Sequence, residues 1–167
     1  MTMASTEERK LFCFGLGYTA CRLAEQLIDA GWRIAGTTRD QEKGTALRSL
    51  GIDVRITWGD GFGPNVDEML REASHVLVSV PPDDQSDPVA RRHGADIASL
   101  PSLRWLGYLS STAVYGDSGG AWVDEATPPA PSGETGRRRL GSEGAWLELG
   151  RTHGIPAHLF RLAGIMQ

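Results

Sequence analysis

Short apolar runs alternate along this chain with longer stretches in which apolar residues recur every three or four positions. Runs of the first kind read as strands and stretches of the second kind as amphipathic helices. Six strands are predicted, at Leu11–Gly15, Trp32–Thr38, Asp53–Trp58, His75–Val80, Trp105–Ser110 and Ala157–Leu162. Helices are predicted between them at Tyr18–Ala30, Asp40–Leu50, Val66–Ala73, Asp87–Leu100 and Thr135–His153. The first helix is the most regular. Its Ala20, Leu23, Ala24, Leu27 and Ile28 make one apolar stripe for packing on a sheet, and Gly31 supplies the stop.

Strands that alternate with helices specify a parallel sheet. Six of them fill the 3-2-1-4-5-6 order of a doubly wound α/β sheet with helices on both faces, the Rossmann arrangement. Ligand chemistry is then expected beyond the carboxyl ends of the strands, near the switch point between the first and fourth. The Pro/Gly-rich stretch from Asp117 to Gly136 reads as a long functional loop, not a linker between domains.

Composition narrows the class. At 167 residues with net charge -4, the chain is read as one domain over residues 11–167, preceded by a flexible polar segment over residues 1–10. An acidic balance offers no basic field for nucleic acid or anionic lipid. No run approaches the ~18 apolar residues of a membrane span, and Met1 to Lys10, with Glu7 and Glu8, lacks the form of a signal peptide. Cys13 and Cys21 fall inside the first strand and first helix and read as packing residues. The expected setting is the cytoplasm, without a membrane or nucleic-acid partner. His75, His93, His153 and His158 show no ligand spacing, so no metal is expected.

The candidate chemistry starts at Gly15-Leu16-Gly17-Tyr18-Thr19-Ala20, which follows the apolar run Leu11 to Phe14 and opens the first helix. In a dinucleotide clamp of this form, Gly15 makes the turn, Gly17 lets the backbone approach a pyrophosphate, and Ala20 allows close helix-strand packing. The phosphates rest on the helix N-terminus at Tyr18 and Thr19. At the end of the second strand, small hydroxyls including Thr38 are followed by Arg39, which suits the 2'-phosphate of NADP(H) better than the bare ribose of NAD(H). Asp40 is better placed as a helix N-cap than as a ribose ligand. The plainer alternative is that Arg39 is a solvated surface charge.

Tyr108-Leu109-Ser110-Ser111-Thr112-Ala113-Val114-Tyr115-Gly116, continued by Val123-Asp124-Glu125 and Pro128 to Pro131, resembles the extended short-chain dehydrogenases, the nucleotide-sugar epimerase and dehydratase superfamily. The resemblance implies a nicotinamide dinucleotide cofactor and a nucleotide sugar or other small-molecule substrate. It places Ser111 where those enzymes bond the reacting carbonyl or hydroxyl, Val80 beside the cofactor, and Asp60 where the family keeps an adenine-contacting acid, with a simple turn aspartate as the alternative reading of Asp60. Alignment of Leu140 and Glu143 puts Thr135 and Arg139 where the family keeps its Tyr-x-x-x-Lys pair. An alkyl hydroxyl is a far weaker acid than a phenol, whereas Arg139 stays charged and can still bond ribose or phosphate. Tyr115 is a candidate replacement for the missing phenol, with packing as the alternative.

The glycine spacing and Val80-Pro81-Pro82 also depart from the commoner family pattern, which resembles an atypical, epimerase-like branch. Members of the family continue past the sixth strand into a substrate-binding region, so residues 11–167 correspond to the cofactor half. They also often pair through the fourth and fifth helices, which implies a homodimer. Three functions stay open: an NADP(H)-dependent oxidoreductase or epimerase-like protein, a non-catalytic dinucleotide sensor or interaction module, and a protein whose pocket takes another nucleotide.

Overall fold

The computed structural model describes residues 9–57 and 65–164. The elements run β1 (Lys10–Phe14), α1 (Tyr18–Asp29), β2 (Arg33–Thr38), α2 (Gln41–Ser49), β3 (Asp53–Ile56), α3 (Val66–Arg71), β4 (His75–Val78), α4 (Pro88–Ala98), β5 (Trp105–Ser111), α5 (Glu134–His153) and β6 (Ala157–Leu162). A single 3-10 turn, Thr112–Tyr115, follows β5. The strands form one parallel six-stranded sheet in the order β3-β2-β1-β4-β5-β6, the doubly wound order expected from the sequence. None of the helices among the described residues is long and apolar enough to cross a membrane.

These residues group into two compact units, one of residues 9–57, 65–77 and 100–104, the other of 78–99 and 105–164. In the first unit, β1 is buried along its whole length and pairs with β2 in the register Phe12↔Ala35 and Cys13↔Gly36. Gly36 is required by that pairing, because a Cβ there would run into the Cys13 carbonyl oxygen. Burial pushes the Cys13 thiol up to about 12, so it stays a neutral packing group. Ala20 and Ala24 of α1 are fully buried. The helix then stops at Gly31, whose φ of +80° suits glycine and whose N–H returns to the Ile28 carbonyl.

In the second unit, α5 packs on β5 and β6 and its Trp146 is fully buried. Asp87 joins this layer to α4. Its Oδ1 accepts from the Val89 and Ala90 N–H groups as the N-cap of α4, ahead of Pro88 in the first turn, and its Oδ2 accepts from the Trp146 indole at 3.0 Å. Nearby, the Arg91 guanidinium on Asp83 holds that carboxyl well below the usual carboxylate range.

Boundaries differ from the sequence expectation at strand ends and where a short turn intervenes. β1 begins at Lys10, inside the segment read as flexible, because Lys10 is buried and its ammonium pairs with Glu72. β4 ends at Val78 instead of Val80, two residues before the Pro81-Pro82 pair. β3 ends at Ile56, and Trp58 lies outside the described residues. The 3-10 turn after β5 carries no periodicity by which the sequence could announce it.

Asp87→Ala should lower stability by about 2–4 kcal/mol, the sum of a lost N-cap and an unpaired buried indole N–H. Urea denaturation of the variant beside wild type measures it, and a loss under about 0.5 kcal/mol would show that neither bond contributes.

Candidate functional site

The first unit builds the glycine turn from hydrogen bonds to β2. Thr37 accepts twice, from the Gly15 N–H at its Oγ1 (2.9 Å) and from the Leu16 N–H at its carbonyl (2.7 Å). Gly15 has φ +86°, a conformation that favours glycine. Gly17, the N-cap of α1, has φ -75° and ψ -170°, which any residue can adopt. Backbone conformation therefore does not demand glycine at 17, and what its missing side chain leaves is a bare helix end. Among the described residues no side chain caps α1 and no acid stands in its first turn, so the amides of Tyr18, Thr19 and Ala20 sit at the positive end of the helix dipole without a side-chain partner there. Tyr18 is 45% exposed, with the Arg22 guanidinium 5.7 Å from its ring centroid.

Beside this turn, Thr38 ends β2 almost fully buried, its Oγ1 accepting from the Asp40 N–H at 3.3 Å. Asp40 caps α2 by accepting from the Lys43 N–H at 2.9 Å, as its position predicts. Arg39 is exposed and makes no hydrogen bond or ion pair among the described residues. Asp60 lies outside the described residues.

The second unit holds Val80, Ser111, Tyr115 and Arg139. Val80 is half-buried just past β4. Ser111 closes β5 with its Oγ accepting from the Ala113 N–H at 3.2 Å, which starts the 3-10 turn while leaving the hydroxyl half-exposed. Tyr115 ends that turn, only 8% exposed. Its hydroxyl donates to the Asp124 carbonyl (2.7 Å) and accepts from Arg161 Nη1 (2.9 Å), with the Arg161 guanidinium 4.9 Å from the ring centroid. A phenol committed in this way packs the loop and has no proton to spare unless the Asp124 bond opens.

Arg139 turns toward β5, its Nη1 donating to the Tyr108 hydroxyl (3.1 Å) and the Leu109 carbonyl (2.8 Å). Burial pushes the Tyr108 phenol up. Thr135 is exposed in the first turn of α5. That turn sits against the 3-10 turn so closely that a Cβ on Gly136 would strike the Ala113 carbonyl.

Sequence reasoning used Glu143 only for alignment and missed the buried network around it. Glu143 is 2% exposed, accepts from Ser110 Oγ at 2.6 Å, and is gripped by Arg161 through Nε (3.0 Å) and Nη2 (2.8 Å). The bonds to Glu143 raise the Arg161 guanidinium above its ordinary value. A signal was present: Leu140, Glu143 and Trp146 lie three apart on α5, so an acid interrupts a row of apolar residues. Ser110, Glu143, Arg161, Tyr115 and the Asp124 carbonyl together bracket the turn that presents Ser111.

Fold and glycine turn define a Rossmann-type α/β protein, and known proteins of that class resemble it. No family model matches the chain. It is 29% identical over 166 residues to Protein YeeZ of Escherichia coli strain K12, a match covering 95% of this chain and 59% of that protein. A conserved protein of unknown function from Silicibacter pomeroyi DSS is 41% identical, with TM-score 0.81 over 95% of this chain and 53% of that one. The chain thus spans little more than half the length of these relatives. UDP-glucuronic acid 4-epimerase from Bacillus cereus, solved with UDP-glucuronic acid and NAD, shares the fold at TM-score 0.70 and 17% identity, covering 91% of this chain and 55% of that one.

Removing one partner of the Glu143–Arg161 pair leaves a largely buried charge uncompensated. Glu143→Met should therefore cost about 3–5 kcal/mol in urea denaturation, and adding Arg161→Met should recover part of that loss. Strictly additive losses would show that the two side chains are not coupled.

Proposed function

We propose that this chain is an NADP(H)-binding Rossmann protein related to the nucleotide-sugar epimerases, dehydratases and reductases. The observation that carries the reading is the bare N-terminus of α1 at Gly17, where neither backbone conformation nor capping accounts for glycine. The pyrophosphate rests on Gly15, Gly17 and the amides of Tyr18, Thr19 and Ala20. Arg39, exposed and without an ion pair among the described residues, takes the 2'-phosphate beside Thr38. NAD(H) binds more weakly because it gives that guanidinium no anion to meet. The cofactor supplies hydride chemistry, and Ser111 bonds the reacting oxygen of a small-molecule substrate such as a nucleotide sugar. The reading includes a homodimer.

A second reading, a non-catalytic dinucleotide sensor, draws support from three side chains. Thr135 stands in place of a phenol, Arg139 is committed to Tyr108 and the Leu109 carbonyl, and the Tyr115 hydroxyl is committed to the Asp124 carbonyl.

Thermal-shift titration tests the cofactor. At 100 times its Kd, NADPH should stabilise the protein by roughly 2.7 kcal/mol. The shift should exceed that with NADH and fall in Arg39→Ala. Equal shifts with both cofactors in wild type would remove the 2'-phosphate assignment. Catalysis is tested by following NADPH absorbance with ketones and nucleotide sugars. Turnover that Ser111→Ala lowers at least tenfold, with the NADPH shift intact, supports the enzyme, whereas binding without any substrate-dependent oxidation supports the sensor.

A further inference from the structure

Arg139 differs from the other arginines of α5. Arg137 and Arg138 pair with Glu134, and Arg151 pairs with Glu148. Arg139 is half-buried and has no carboxylate partner among the described residues. A cation drawn part-way out of water without a counter-charge is costly, so this position asks for an anion. Asp87, whose charge reaches Tyr108, does not supply it, because the Val89, Ala90 and Trp146 N–H groups occupy that carboxylate.

The guanidinium is held by one nitrogen only. Nη1 carries two hydrogens and both are used, one on the Tyr108 hydroxyl at 3.1 Å and one on the Leu109 carbonyl at 2.8 Å. The Nε–Nη2 edge makes no hydrogen bond among the described residues. That edge is a planar pair of parallel donors, the arrangement that takes a carboxylate or phosphate through two bonds. Tyr108 fixes where it points, since the ring is fully buried on β5 in register with Leu159, with its centroid 5.8 Å from the guanidinium carbon. Much of the rotamer freedom that an arginine gives up on binding is thereby given up in advance.

Position along the strand adds the second half of the argument. The Leu109 carbonyl that anchors Nη1 stands two residues, about 7 Å, before Ser111 at the carboxyl end of β5, and ligands of doubly wound sheets bind beyond those ends. We propose that the Nε–Nη2 edge of Arg139, set in place by Tyr108, binds an oxyanion on the substrate whose reacting oxygen meets Ser111. The substrate class is then a sugar acid or a sugar phosphate, with its carboxylate or phosphate a few bonds from the reacting carbon. This rests on the preceding reading of Ser111 and adds the substrate's charge to it. The family resemblance gives position 139 to ribose or phosphate of the cofactor. A ribose diol leaves the guanidinium charge uncompensated, and in the proposed reading the cofactor's phosphates already rest on α1 and Arg39. Tyr108 touches no substrate and acts as a positioning residue.

Protein-observed NMR titration of the 167-residue chain with glucose, glucuronate and glucose 1-phosphate tests it. At least one of the two anions should bind about tenfold or more tightly than glucose, and which one does so separates carboxylate from phosphate. Arg139→Met should remove the preference, and Tyr108→Phe, which keeps the ring, should reduce it about threefold or more. Adding Tyr108→Phe to Arg139→Met should change nothing further, as a purely structural role for the phenol would not predict. Arg138→Met removes the same charge from α5 and should leave the preference intact. A thermal melt checks that each variant folds, and Tyr108→Phe against Arg138→Met keeps the test open if Arg139→Met does not. Equal binding of all three sugars to wild type, a preference that survives Arg139→Met, or an equal loss in Arg138→Met would overturn the proposal. So would an Arg139→Met chain that loses affinity for NADPH and not for the sugar anion. A wild type without any NADPH shift would instead sink the cofactor reading, which the sugar titration does not use.

Discussion

Thr37 makes the two hydrogen bonds on which the proposed cofactor site depends. Its hydroxyl and carbonyl receive the Gly15 and Leu16 N–H groups, which fixes the exit of β1 against β2 and satisfies the first donors of the turn. The next amides, those opening α1, are then left without a side-chain cap among the described residues. Close approach of the strands is part of the same constraint, since Gly36 beside the Cys13 carbonyl lets β2 lie near enough for Thr37 to reach the turn. The helix dipole, uncapped amides and absent side chain at Gly17 converge on the one property the proposed cofactor site requires, an opening where a phosphate would replace missing partners.

The second unit relies on a different device. Glu143 and Arg161 are a closely bonded pair that reaches Ser110 at one end of the 3-10 turn and Tyr115 at the other. Such a pair contributes less to net stability than its geometry suggests, because desolvation offsets much of the attraction. Its more evident effect is to hold one conformation of the segment 110–115, and so the position of Ser111. Tyr115 is hydrogen-bonded into this framework through Arg161, and beside it Arg139 bonds the Tyr108 hydroxyl and the Leu109 carbonyl.

Much of this was legible in the sequence because it depends on short-range patterns. Strand order followed from the alternation of short apolar runs with helical stretches, Gly31 and Asp40 punctuated helices by local hydrogen bonding, and the glycine turn followed from its spacing. The buried Glu143–Arg161 pair was not read, since the partners are 18 residues apart on different elements and become neighbours only when α5 lies on β6.

The central claim is that glycine at 17 serves a ligand and not the backbone. Calorimetric titration of NADPH into wild type and Gly17→Asp tests it most directly. Aspartate is a good N-cap, and the φ of -75° admits it, so the variant should melt at or above the wild-type temperature while its carboxylate occupies the anion position. The account predicts saturable binding to wild type and at least a hundredfold weaker binding to the variant. Equal affinity for the two proteins, or no binding to wild type, would contradict it.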